Sequence, residues 1–351
     1  MRMLKTESLI LTKEIVNLMT EIDEFKGAWL ALGNIAPNRL LQLRKGATIE
    51  SIASSTRIEG SLLTDLQVEK LIGNLKIQKF ETRDEQEVAG YADLMTIVFD
   101  NYTDIPLFEN FIQQLHGYLM KYSEKDQWHK GQYKKFPNHV VATDAFGQVV
   151  GVVFETTTPL ETPIKMQELV DWAAENLTKR DWHPLLVIAF FIVSFLAIHP
   201  FQDGNGRLSR VLTTFLLLKS GYRYVAYSSL EAVIEREKPN YYRSLRQTQT
   251  TLNQDEPNWS PWVLFFLKSM KRQKDNLEIK IKRERLLLTQ LPDMSQKILD
   301  LIRENGRITI SELVTFTQYN RNTLQKHLES LVKNNQIQRN GVGKGTWYNL
   351  I

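Results

Sequence analysis

The chain has 351 residues, of which 42% are apolar, 24% charged and 10% aromatic, a globular balance that excludes wholesale disorder and suits about two or three domains. It contains no cysteine, which excludes a disulfide scaffold, a thiolate nucleophile, an iron–sulfur cluster and cysteine-ligated zinc. With 44 Lys and Arg against 40 Asp and Glu, the net charge is only +4.

In chain order, the opening MRMLKTESLILTKEI lacks the apolar stretch and small-residue cleavage site of a secretion signal, so a cytoplasmic protein is expected. Ser55-Thr56-Arg57-Ile58-Glu59-Gly60 has the form of an ordinary helix end, glycine following. Apolar residues at i, i+3 and i+4 predict helices over 68–77, 87–99, 108–122 and 163–177, the last with Pro163 at its first position. Residues 138–154 are instead β-branched, with Thr143-Asp144-Ala145-Phe146-Gly147 between two valine-rich runs, which predicts one hairpin. The longest apolar stretch, 185–198, is broken by Ser194 and falls short of the roughly 20 residues of a bilayer span, so it reads as a buried helix and no membrane association is expected. A further helix covers 211–219. Leu291-Pro292-Asp293 breaks the chain before a basic tail, where residues 294–351 hold eight basic and four acidic side chains. That tail reads as three helices, one stopped by Asn305-Gly306, one at 311–316 and one at 321–334. A hairpin follows around Gly341, Gly343 and Gly345, so the tail resembles a winged helix-turn-helix.

The chemistry concentrates in His199-Pro200-Phe201-Gln202-Asp203-Gly204-Asn205-Gly206-Arg207-Leu208-Ser209-Arg210, between two apolar helices. Gly204 and Gly206 let backbone N–H groups approach an anion and open a helix whose N-terminal dipole favours negative charge. Arg207 and Arg210, three apart, share a helix face and suit successive phosphates. Asp203 is an oxygen donor suited to Mg²⁺ carried by phosphates, and His199 is the one side chain there expected to take a proton near neutral pH. There is no GxxxxGK[ST] loop, since Gly341-Val342-Gly343-Lys344-Gly345-Thr346 falls short of it, and no HExxH.

At these residues the sequence resembles the Fic family, whose signature is HPF-x-[DE]-GN-[GK]-R-x-x-R; every defined position matches. Gly131-Gln132-Tyr133-Lys134 is similar to the family's G-x-Y-R, the hairpin to its flap, and Tyr241-Tyr242 with Leu245 to its YY-x-x-L segment. The resemblance implies a mainly α fold: a Fic-type helical bundle with a β-hairpin flap, then the small winged helix. Its divisions would be 1–100, a helical region with an inhibitory helix; 101–255, the catalytic domain; 256–292, a helical connector; and 293–351, the winged helix.

The implied activity is transfer of AMP from ATP to a Ser, Thr or Tyr hydroxyl of a target protein or of the chain itself. In that reading His199 is the base and Phe201 anchors the loop. Asp203 holds Mg²⁺, and Gly204, Asn205, Gly206, Arg207, Leu208, Ser209, Arg210, Glu237 and Tyr241 bind the nucleotide. Glycine rather than lysine at 206 favours adenylylation over kinase-type transfer. The resemblance also makes Ser55, Glu59 and Gly60 an inhibitory motif, with Glu59 competing for Arg210. The flap would register a target peptide by strand addition. Whether the reverse reaction occurs with Glu59 stays open, as do a homodimer and the tail's partner, DNA or protein; Arg321, Asn322, Gln325 and Lys326 are of the types that read bases or phosphates.

Overall fold

The computed structural model describes residues 4–31, 37–74, 80–143, 149–289, 292–334 and 336–350. Two compact units emerge, Met1–Leu32 with Arg44–Asp275 and Gly33–Leu43 with Asn276–Ile351. Helices dominate: α1 (Lys13–Ala31), α2 (Pro37–Ile58), α3 (Asp65–Gly73), α4 (Arg83–Asn101) and α5 (Glu109–Leu119) precede the hairpin strands β1 (Val140–Thr143) and β2 (Val149–Phe154). Then come α6 (Thr162–Lys179), α7 (Pro184–Ile198), α8 (Asn205–Lys219), α9 (Leu230–Arg236), α10 (Lys238–Gln249) and α11 (Ser260–Thr289). The tail contributes α12 (Asp293–Asn305), β3 (Ile308–Thr309), α13 (Ile310–Thr317), α14 (Arg321–Lys333), β4 (Ile337–Asn340) and β5 (Trp347–Leu350).

In the first unit α7 is the axis. Its residues from Leu185 to Leu196 are all buried, because α6, α8 and α10 pack around it. A helix apolar on every side belongs at the centre of a bundle. Among the described residues no helix is long and apolar enough to cross a membrane. Local chemistry sets where the outer helices start: Thr64 with Gln67 and Thr82 with Glu85 form capping boxes. These caps begin α3 and α4 several residues before the apolar periodicity does. Helix α3 stops at Gly73, with residues 75–79 outside the described set, and α5 ends at Leu119 rather than at residue 122. Pro163 occupies the second helical position of α6, after Thr162. Strands β1 and β2 pair antiparallel as expected, and the turn at 144–148 lies outside the described residues.

In the second unit Ile298, Ile302, Leu313, Leu324, Leu328, Leu331 and Ile337 form the core of the winged helix. Helix α12 ends at Gly306, whose φ of +72° suits glycine. One strand had no sequence signal: two-residue β3 pairs with β5, which pairs with β4. Tyr348 faces the core, and Trp347 lies under Arg307 at 5.6 Å.

Helix α4 approaches α5 so closely at Gly90 that a Cβ there would overlap the Leu119 carbonyl oxygen, whereas Gly46 in α2 is exposed with open space above it. Gly90→Ala should therefore destabilise by about 1–3 kcal/mol through overpacking, while Gly46→Ala should stabilise by about 0.5–1 kcal/mol. Urea unfolding checks both; a stabilising Gly90→Ala would contradict this packing.

Candidate active site

The signature residues cluster where α7 ends and α8 begins. His199 caps α7 in the left-handed conformation (φ 53°, ψ 59°), its N–H donating to the Phe195 carbonyl at 2.9 Å. Its ring Nδ1 donates to the Leu196 carbonyl at 3.3 Å, so the other nitrogen, Nε2, carries the free lone pair. Phe201 is fully buried, stacked on the His116 ring at 3.9 Å and near Tyr133 at 5.5 Å, and so anchors the loop. Asn205 closes the loop on itself: its Oδ1 accepts the Phe201 N–H at 2.9 Å and its Nδ2 donates to the Phe201 carbonyl at 2.7 Å. Gly204, at φ +80°, makes the turn into α8.

Helix α8 presents its first turn, with its unpaired amides and positive dipole end, to a cavity of about 810 Å³. His199, Asp203, Gly204, Gly206, Arg207 and Arg210 line it, together with Glu59, Tyr241, Tyr242, His139 and Phe154. Arg207 stands 3.1 Å from Glu87 and 3.6 Å from Asp203. Arg83 closes a ring of alternating charge, 3.0 Å from Asp203 and 2.8 Å from Glu87.

Arg210 joins two helix ends. Its Nε donates to Ser55 Oγ at 2.8 Å, and its Nη2 donates to the Ser55 carbonyl at 3.0 Å and to Glu59 Oε1 at 2.7 Å. It thus supplies a cation to the C-terminal end of α2, where carbonyls lack helical partners. Its Nη1 is buried and makes no hydrogen bond, and the same holds for Nε of Arg207, whose Nη1 is held by Glu87 at 3.1 Å. Glu59 sits just beyond α2, and Gly60, at φ +107°, turns the chain away. The Glu59 carboxylate lies so close over Gly206 that a Cβ at 206 would overlap Oε1. An anion therefore already rests at the start of α8. Arg57 fixes this end of α2, with Glu235 at 2.7 and 3.0 Å and Asp65 at 2.7 Å.

Three residues expected at a nucleotide site lie elsewhere. Leu208 is wholly buried in the core, and Ser209 donates to the Gly206 carbonyl at 2.7 Å instead of lining the cavity. Glu237 is paired with Arg272 at 2.6 Å and is absent from the cavity wall. Asn205 borders the cavity, but the bonds to Phe201 engage both ends of its amide. The expectation that His199 titrates near neutral pH is corrected: burial, reinforced by the charge of Lys134, pulls the ring down to about 4. Burial likewise pulls His116 to about 4. Both rings are neutral at pH 7.

Among the described residues no three or more His, Asp or Glu side chains group to hold a metal ion. Asp203 shares the cavity wall with the carboxylates of Glu59, Asp84 and Glu87 and is itself paired with Arg83 and Arg207. It fits an ion brought in and mostly coordinated by phosphate oxygens and water, as Mg²⁺ commonly is. Arg83, Glu87 and His116 carried no sequence signal. They lie 87 to 120 positions before the motif residues they contact, and spacing within a local string does not reveal such pairings.

The unfolded chain binds protons on His116 and His199 from about pH 6.5 downward, whereas the folded chain does so only near 4. Stability should therefore fall as pH drops through this window, by about 1–2 kcal/mol per ring by pH 5. Urea midpoints at pH 7.5, 6 and 5 test this, and His116→Gln should flatten the slope; a midpoint constant from pH 7.5 to 5 would contradict the buried neutral rings.

Comparison with known proteins agrees with this geometry. The Fic/DOC family profile matches residues 106–217, and a profile described as winged helix-turn-helix DNA-binding matches residues 291–338. The chain is 24% identical over 223 residues to a protein adenylyltransferase Fic of Drosophila willistoni, covering 63% of this chain and 41% of that protein. For its Drosophila mojavensis counterpart the figures are 24% over 246 residues, 67% and 44%. The chain thus spans less than half the length of these curated relatives. A Fic family protein from Desulfovibrio desulfuricans has a similar structure, with TM-score 0.63, 26% identity and coverage of 98% of this chain and 97% of that one. A Fic domain containing signaling protein from Bacteroides thetaiotaomicron gives TM-score 0.58, 25% identity and coverage of 75% and 94%. Residues 106–217 thus form a region similar to the Fic/DOC family, followed at 291–338 by one similar to winged helix-turn-helix domains.

Proposed function

We propose that the protein transfers AMP from ATP to a Ser, Thr or Tyr hydroxyl of a protein, and that Glu59 restrains it. The observation that carries this is one cavity holding both a neutral His199, with a free ring nitrogen, and the anion seat of α8 with Arg207 and Arg210. The β- and γ-phosphates would rest on the first-turn amides and the two arginines, where Nη1 of Arg210 and Nε of Arg207 are buried donors without a hydrogen bond. His199 Nε2 takes the proton of the target hydroxyl as its oxygen bonds to the α-phosphorus. The bond to pyrophosphate breaks, and the arginines stabilise the leaving charge. Mg²⁺ arriving with the nucleotide and contacting Asp203 would neutralise phosphate charge. Tyr241 and Tyr242 border the cavity as aromatic surface for the nucleoside.

Glu59 supports a brake through competition. Its carboxylate takes the place over Gly206 and the Arg210 donor that a terminal phosphate needs. The flap strands β1 and β2 would align the target segment by main-chain pairing.

Incubation with α-labelled ATP, Mg²⁺ and lysate tests the reading. His199→Ala should lose label transfer by about 10²–10⁴-fold. Glu59→Gly should raise it by about 10–100-fold, as expected if a charge-assisted bond of about 1.5–3 kcal/mol is lost. Near wild-type transfer by His199→Ala would remove the base assignment. Asp203→Ala should lose its response to Mg²⁺; an unchanged titration would move the metal contact elsewhere.

A second function is supported in the tail. Arg321, Asn322, Gln325 and Lys326 are exposed on α14, the third helix of a unit similar to DNA-binding winged helices. Binding to duplex DNA should weaken steeply between 50 and 200 mM salt if phosphate contacts drive it. No salt-sensitive shift at 50 mM would leave the tail as a protein-binding module.

A further inference from the structure

The segment from Gly131 to Asn138 runs along the backbone of the signature loop and takes up its carbonyls in turn. Lys134 Nζ donates to the Ile198 carbonyl at 2.9 Å, and the Lys134 N–H donates to that of Pro200 at 2.8 Å. Asn138 Nδ2 donates to the His199 carbonyl at 3.1 Å and to the Phe201 carbonyl at 2.6 Å. At the near end, Gly131 N–H donates to His116 Nδ1 at 2.9 Å, which leaves His116 Nε2–H to donate to the Asp203 carbonyl at 3.1 Å.

The clamp is internally complete. Lys134 spends its other two N–H bonds on Asn138 Oδ1 at 2.8 Å and Thr156 Oγ1 at 3.0 Å, and Thr156 Oγ1 donates to Asn138 Oδ1 at 3.0 Å. An ammonium has three donors, and all three are used. Because Asn138 Oδ1 faces two donors, its NH₂ must face the two signature carbonyls. Lys134 is buried at 3% exposure, where an unmatched ammonium would be costly.

What the clamp holds is unusual. His199 is one of three non-glycine described residues at positive φ, a conformation that persists only where surroundings over-determine it. Its own N–H and ring Nδ1 are satisfied within α7, and Asn138 alone reaches its carbonyl among the described contacts. We propose that Lys134 and Asn138 are positioning residues: they lock His199 in the left-handed turn, and this aims its Nε2 into the cavity. The proposal rests on the AMP-transfer reading for its kinetic consequence but not for its structural one.

Asn138→Asp is the sharpest probe. It keeps the shape and the Lys134 partner and leaves Phe201 tied to Asn205, but it replaces both donors to the signature loop. In the Glu59→Gly background, kcat should fall about 10–100-fold, as misplacing a reacting group by about 1 Å does. KM for ATP should stay within twofold, because the seat on α8 is untouched. Lys134→Met should act alike, and Lys134→Arg, which retains donors, should recover most of the rate. Long-range ¹H–¹⁵N spectra of the histidine rings, with His199 assigned through His199→Ala, should show the Nδ1–H form in the parent and a shifted, mixed signal in Asn138→Asp. Unchanged kcat with unchanged His199 resonances would overturn the clamp. So would a proportionate loss of kcat, ATP affinity and thermal midpoint, which marks a general structural role. Absence of transfer in the Glu59→Gly parent would count against the enzymatic reading, and the His199 resonances would then decide the clamp alone.

Discussion

The guanidinium of Arg210 is at once buried, charged and shared between two helix ends, and much of the first unit is arranged around that constraint. Only 3% of its side chain is exposed, so its charge must be matched locally, and three hydrogen bonds to Ser55 and Glu59 do so. Burial alone would disfavour the charge; the Glu59 carboxylate outweighs it and holds the group above the ordinary arginine range. The C-terminal end of α2 thereby meets the N-terminal end of α8, with the negative carboxylate over the positive helix pole. A buried ion pair adds little net stability but makes loss of one partner costly. On the proposed reading, such a site would accept another anion in place of Glu59. Nη1 of Arg210 and Nε of Arg207 are likewise buried without a hydrogen-bond partner.

Legibility in the sequence followed the range of the interactions. Helix α7 was legible because fourteen nearly unbroken apolar residues admit little else, and the hairpin because β-branched runs flank a glycine turn. The signature string was legible as a phosphate seat because glycine, arginine and aspartate act there at short spacing on one helix start. The contact of Glu59 with Arg210 spans 151 positions and was reached only through resemblance to a family pattern. Helix boundaries were less legible, since Thr64 and Thr82 start helices by side-chain capping rather than by apolar periodicity. Strand β3 has two residues and exists only because β5 is beside it. Asn205 and Leu208 show the limit of a motif: a string marks which residues matter together, while packing decides which of them face the ligand and which hold the loop.

The division of labour that results is coherent. One layer, Phe201, Asn205, His116, Lys134 and Asn138, spends its hydrogen bonds and packing on the shape of the loop. A second, Arg83, Glu87, Asp203 and Arg207, is a closed ring of charge that a polyphosphate or a cation can open. The third, Ser55 and Glu59 bonded to Arg210, would on the proposed reading compete with the ligand for that guanidinium. Neutral His199 stands among them with its reactive nitrogen free.

Calorimetric titration of the wild type and Glu59→Gly with Mg²⁺–ATP and with AMP isolates the anion competition at the centre of this account. AMP lacks the β- and γ-phosphates, so only ATP should gain from a vacated Arg210. Glu59→Gly should therefore bind ATP about 10-fold or more tightly than wild type, consistent with the loss of a charge-assisted hydrogen bond, while AMP affinity stays level. Equal ATP affinity in the two proteins, or the same gain for AMP, would contradict the claim that Glu59 occupies the seat of a terminal phosphate.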